Sequence, residues 1–185
     1  MTTHSTPLAL THPRTWRILF IVILLGGGAW MWVSRPAPGR DIAPAPRTGA
    51  PAPAFSTETV DGEAVRLGDY DGQVVVLNLW ATWCPPCRAE MPDLEAVWQR
   101  YADDGMVVLA VNQNESASDV AAFRTEYDLT FPVALDRAGD VGRLYETSTF
   151  PTTYFIDRDG VIREVVHGAM PAAMIESLVR DLLED

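Results

Sequence analysis

The chain has two cysteines, three histidines and no lysine at all. Each shortage removes a class of chemistry. A structural zinc site needs four ligands, commonly supplied as two Cys or His knuckles. Here Cys84 and Cys87 make one knuckle, His4 and His12 precede an apolar segment, and His167 stands alone. No metal site is therefore expected. All 14 basic residues are arginine, set against 25 acidic ones for a net charge of -11. Nothing in the sequence gives the missing lysine a function, but so acidic a chain is not expected to bind nucleic acid. Solubility is the plain reading of the acidic excess. Internal repeats are missing too, which excludes repeat architectures.

Long hydrophobic runs are nearly absent as well. The longest, residues 18–33, is 16 residues, with Arg14 and Arg17 before it and Arg35 after. As a helix it spans roughly 24 Å, enough for a membrane only if Trp16, Trp30 and Trp32 sit in the interfaces. A cleaved signal peptide is the competing reading. Its best small-residue site, Ala43-Pro44-Ala45, is followed by Pro46, a poor context for cleavage, and no lipid-accepting cysteine follows the run. An uncleaved anchor is preferred, with residues 1–17 as a cytoplasmic amino terminus. Flanking charge is too balanced to orient it. Residues 34–53, rich in Pro and Ala, read as an extended linker, and residues 54–185 as one domain.

What is present is Cys84-Pro85-Pro86-Cys87 within Trp80-Ala81-Thr82-Trp83-Cys84-Pro85-Pro86-Cys87-Arg88-Ala89-Glu90-Met91-Pro92. A disulfide here closes a loop of only a few residues and removes little unfolded-state entropy, so redox cycling is a better use of the pair than stabilisation. Residues 74–80 are a near-continuous apolar run, as in a strand buried on both faces. After Cys84 the pattern turns helical, with Met91, Leu94, Val97 and Trp98 at spacings of three and four. Pro85 and Pro86 suit a first helical turn, where an N–H has no partner anyway. Cys84 is then at a helix N-terminus, where the dipole favours a thiolate. Cys84 is expected to attack a substrate disulfide and Cys87 to resolve the mixed disulfide.

The order of elements is an amino-terminal hairpin (54–59 and 64–67), strand 74–80, helix 85–101, strand 106–112, helix 117–127, strand 132–135, helix 138–146, strand 153–157, strand 161–167 and helix 171–183. Pro92 is expected to kink the first long helix. That succession suits an α/β domain with a central mixed sheet flanked by helices.

The cysteine motif, together with Phe150-Pro151-Thr152-Thr153-Tyr154-Phe155-Ile156-Asp157, resembles the thioredoxin superfamily. The resemblance is closest to the membrane-tethered thiol:disulfide oxidoreductases of the TlpA, ResA and CcmG (DsbE) group, and covers residue 50 onward. It implies a thioredoxin-like fold, a catalytic domain on the periplasmic side of the inner membrane, and a redox-active disulfide in place of any cofactor. It implies protein disulfide substrates, apocytochrome c in cytochrome c maturation among them, and a membrane electron donor for re-reduction. Asn78 stands where thioredoxin holds a buried aspartate, and Pro85-Pro86 replaces Gly-Pro.

The resemblance also suggests a cis Phe150-Pro151 bond facing the cysteines, with Trp83, Pro85, Pro86, Phe150 and Pro151 lining the substrate groove. Trp80 is expected in the core. Glu115, after the strand ending at Asn112, has two readings: a proton acceptor for the cysteines, or an acid favouring the dipole of the helix that follows. Two other functions compete. A copper-binding module would recruit His167 and Met170 to the cysteines. A thiol peroxidase would need a Pro-x-x-x-Thr/Ser-x-x-Cys frame, whereas Thr82 lies two before Cys84 with no suitably spaced proline.

Overall fold

The computed structural model describes residues 45–184. The anchor expected over 18–33, the amino terminus before it and most of the linker lie outside the described residues. Among those described, no helix is long and apolar enough to cross a membrane.

The organising element is β3, Val74–Trp80, every residue of which is buried. Its alternation serves both faces of the sheet. Val74, Val76 and Trp80 join one apolar cluster, and Val75, Leu77 and Leu79 join another on the opposite side. At roughly 1.5–3 kcal/mol for each large apolar side chain buried, this run alone commits the chain to a sheet covered on both faces. β4, Met106–Gln113, is buried throughout in the same way and pairs with β3 in parallel.

Around this pair the remaining strands are β1 (Ser56–Thr59), β2 (Ala64–Arg66), β5 (Val133–Asp136), β6 (Thr152–Ile156) and β7 (Ile162–His167). They form one seven-stranded sheet in the order β2-β1-β5-β4-β3-β6-β7. β5 is parallel to β4, whereas β6 and β7 return antiparallel, and the amino-terminal hairpin β1-β2 adds antiparallel to β5. The expected mixed sheet is observed. The first cluster is covered by α1 (Pro85–Tyr101), α2 (Ala117–Glu126) and α4 (Ala172–Glu184), and the second by the region of α3 (Asp140–Leu144) and the amino-terminal segment around Phe55.

Local chemistry explains the boundaries. α2 is capped by Ser116, whose hydroxyl accepts from the Asp119 N–H at 3.2 Å. α1 runs on through Pro92. The helix expected over 138–146 is the clearest correction. Gly139 takes φ +70° ahead of it and Glu146 takes φ +50° after it, so only residues 140–144 hold helical backbone. Before β1, residues 49–52 lie along the start of β7: Gly49 N–H donates to the Ile162 carbonyl at 2.7 Å, Ile162 N–H to the Ala50 carbonyl at 2.9 Å, and Ala52 N–H to the Gly160 carbonyl at 2.8 Å.

Candidate active site

Sheet register assembles the site. Trp80, the last residue of β3, is paired with Asn112 near the end of β4, and Leu79 with Thr152 at the start of β6. The loops after β3 and β4 and the loop before β6 therefore meet at one edge, the carboxyl edge of the parallel strands, where α/β active sites gather.

Cys84 and Cys87 are joined by a disulfide there, with Cα atoms 5.3 Å apart. Cys84 is the N-cap of α1, with Pro85 and Pro86 in the first turn, and its Sγ accepts from the Cys87 N–H at 3.2 Å. One main-chain donor of the first helical turn thus faces the sulfur, Pro85 and Pro86 having no N–H to offer. Cys87 has no exposed surface and Cys84 only 3%. The outer cysteine is the more accessible of the pair, although the difference is small while the disulfide is closed.

The expected groove residues split by exposure. Trp83 is 65% exposed, one of two large exposed apolar side chains among the described residues. Its ring meets Phe150 edge to face, centroids 6.0 Å apart. Pro85 and Pro86 are exposed, Phe150 is half-buried and Pro151 is buried. The Phe150-Pro151 bond is cis. The loop is tied down on both sides of that bond: Thr152 Oγ1 donates to the Thr149 carbonyl at 2.8 Å, and the Gly168 N–H donates to the Pro151 carbonyl at 2.8 Å. Trp80 is fully buried against Phe123, ring centroids 4.8 Å apart.

Glu115 is half-buried at this edge. Its carboxylate accepts from the Thr82 N–H at 2.7 Å, the Thr82 hydroxyl at 2.5 Å and Asn112 Nδ2 at 2.6 Å. It is therefore engaged with the segment that leads into Cys84. His167 Nδ1 lies 3.1 Å from Thr152 Oγ1, and Met170 is buried with its N–H on Glu90. Among the described residues no group of three or more His, Cys, Asp or Glu side chains could hold a metal ion.

Sequence reasoning passed over Glu90. It lies one helical turn beyond Cys87 and is 1% exposed. Its carboxylate accepts from Asn78 Nδ2 at 3.1 Å and from the Met170 N–H at 2.9 Å, while Asn78 also donates to Thr153 Oγ1 at 2.8 Å. Burial dominates its titration. Desolvation pushes the pKa up to about 7, against the lowering effect of the Met170 and Asn78 hydrogen bonds and with a small further rise from the Asp93 carboxylate. The signal was available: Glu90 interrupts the buried stripe Cys87, Met91, Leu94, Val97. A carboxyl in such a stripe needs either partners or a proton.

Comparison with known proteins gives the chain's likenesses. The AhpC/TSA family matches residues 48–165. A thiol-disulfide oxidoreductase ResA from Oceanobacillus iheyensis is 42% identical over 140 residues, covering 74% of this chain and 73% of that protein. The thioredoxin-like protein YneN of Bacillus subtilis is 44% identical over 131 residues, covering 69% of this chain and 76% of that one. Among solved structures, a putative thiol:disulfide interchange protein DsbE from Chlorobium tepidum aligns with a TM-score of 0.70 at 34% identity, covering 74% of this chain and 98% of that one.

Proposed function

Because this chain belongs to the AhpC/TSA family and is a ResA-like thiol-disulfide oxidoreductase, we propose that it reduces protein disulfides, with Cys84 as nucleophile and Cys87 as resolving thiol. The observation that carries the proposal is the disulfide at the start of α1, directly preceded by the exposed Trp83, whose ring meets Phe150. As a thiolate favoured by the helix N-terminus, Cys84 attacks one sulfur of a substrate disulfide; the other leaves as a thiolate and takes a proton. Cys87, deprotonated, then attacks Cys84 Sγ. The Cys84-Cys87 disulfide forms, the second substrate sulfur leaves, and two electrons have passed to the substrate. Re-reduction needs an external dithiol, for which a membrane donor is the proposed source.

Cys87 must give up its proton before it can attack, and it has no exposed surface through which water could take it. Glu90, one turn further along and with a pKa near neutrality, suits the role of proton acceptor for it. Trp83, Pro85, Pro86 and Phe150 offer the uncharged surface on which a substrate segment rests, and the backbone around Phe150-Pro151 can pair with it. Residues 18–33 support a single-pass inner-membrane anchor, and the resemblance to ResA and DsbE supports a domain outside the cytoplasm and apocytochrome c as a substrate. The cysteine pair itself serves as the redox group, so the reaction calls on no further cofactor. A peroxidase reading has no comparable support, because the frame that would activate a peroxidatic cysteine is missing around Cys84.

The test is trapping. Cys87→Ala, mixed with a disulfide-containing protein, is expected to accumulate a mixed disulfide on Cys84 detectable by mass, and Cys84→Ala is expected to accumulate none; trapping on Cys87 would reverse the assignment. Direction is read from the reduction potential. A value near about -270 mV or below marks a reductant, and one near about -120 mV an oxidant.

A further inference from the structure

Thr82 stands two residues before the attacking cysteine, and each of its polar groups is held by a charged side chain. Its N–H and hydroxyl donate to the two oxygens of Glu115, at 2.7 and 2.5 Å. Its carbonyl accepts from Arg88 Nη1 at 3.3 Å. Both holders are themselves fixed. Glu115 also takes the Asn112 amide at 2.6 Å, and Asn112 is fully buried in β4. Arg88 directly follows Cys87; its guanidinium carbon lies 5.3 Å from the centroids of Phe123 and Tyr127, two rings stacked 4.2 Å apart, and its Nη2 reaches Glu126 at 3.3 Å.

A carboxylate and a guanidinium thus grip opposite sides of one residue, and neither bond involves sulfur. While the disulfide is closed it adds a second covalent link between Cys84 and α1, beyond the peptide chain through Pro85. Once it opens, that second link is lost and hydrogen bonds alone hold the segment from Ala81 to Cys84 across the site; those at Thr82 contain no sulfur atom. Holding two thiols in place raises the effective concentration of one at the other and so favours the disulfide.

We infer that Glu115 and Arg88 are positioning residues that act on Cys84 through Thr82, keeping the reduced cysteine beside Cys87 and the couple strongly reducing. This rests on the reading of Cys84 and Cys87 as a working dithiol. The relevant exchange is dithiol plus oxidised glutathione to disulfide plus two glutathione thiols, with both electrons and both protons passing to glutathione.

The experiment measures the equilibrium constant of that exchange in wild type, Thr82→Val, Glu115→Gln, the double variant and Thr82→Ser. Thr82→Val removes one of the two bonds to Glu115 without changing charge, so a shift reports position rather than electrostatics. The constant is expected to fall by up to about tenfold, a rise in potential of about 30 mV for a two-electron couple. Glu115→Gln is expected to shift the same way, because an amide nitrogen cannot accept the Thr82 bond it replaces. The double variant is expected to shift no further than the larger single one, and Thr82→Ser to restore the wild-type value. An unchanged potential in Thr82→Val, or shifts that add in full, overturns the inference. Should Thr82→Val not fold, Glu115→Gln decides alone, an unchanged potential again overturning it. A wild-type protein that does not exchange with glutathione overturns the dithiol reading as well.

Discussion

On one face of the sheet Val75, Leu77 and Leu79 pack with Tyr145, Tyr154 and Ile162, and the two tyrosine hydroxyls each end on a main-chain carbonyl: Tyr145 on Pro53 at 2.8 Å and Tyr154 on Tyr145 at 2.6 Å. On the other, Val74, Val76 and Trp80 share their core with Cys84, Cys87 and a buried Asn78-Glu90 pair. Both faces are dry. They differ in what the buried polar atoms are free to do. A tyrosine hydroxyl bonded to a carbonyl is satisfied in one protonation state across the ordinary pH range, and burial pushes Tyr145 higher still. Glu90 has a choice of two states near neutrality, and Asn78 Oδ1 has no hydrogen-bond partner among the described residues. A single strand, by alternating, divides a face that only stabilises from a face that accepts a cost in stability for chemistry.

The comparison breaks most visibly at Leu77. Leu77→Ala leaves a cavity in the face without cysteines and is expected to cost about 2–5 kcal/mol by denaturant unfolding, with no change in the reduction potential of the molecules that remain folded. A changed potential would show that the two faces are coupled.

Next in size is Glu90→Gln. With its folded pKa raised from the usual 4.5 to about 7, wild-type Glu90 holds its proton in the native state over a range where the unfolded chain has lost it. Its contribution to stability is full below about pH 4.5 and drains away as pH rises through 7, a loss on the order of 3 kcal/mol. Glu90→Gln is expected to abolish that slope, to be more stable than wild type at pH 8, and to slow the resolving step of the thiol exchange. Urea unfolding at pH 5 and pH 8 checks the first two; a slope that survives in the variant assigns it to another group.

Smallest in stability is Trp83→Ala, within about 0.5 kcal/mol because the side chain is mostly exposed. Its effect belongs to recognition. Reduction of a protein disulfide is expected to slow several-fold while reduction of a small disulfide such as oxidised glutathione changes little, and equal losses on both would remove Trp83 from the docking surface.

How far the sequence carried these conclusions follows the same division. β3 and α1 were legible to the residue, because a run buried on both faces and a proline-started amphipathic helix leave few alternatives. The cysteine pair at a helix start was legible because it is local in sequence, and the cis Phe150-Pro151 bond was reached through the family resemblance. α3 was overestimated, since nothing in composition marks Glu146 as taking a left-handed backbone. Glu90 and the bonds of Glu115 were not legible for a different reason. Their meaning comes from partners far along the chain, Met170 and Thr82, which only the closing of α4 over α1 and the parallel pairing of β3 with β4 bring within reach.

The pairing of residues 49–52 with the start of β7 gives the domain a handle and a working end. Gly160 and Ile162, which receive that segment, lie at the turn beyond Ile156, where β6 faces Val75; the disulfide lies past Trp80, at the other end of β3. A strand of seven residues separates the two by roughly 20 Å. The described chain therefore enters the domain at the pole away from its sulfur.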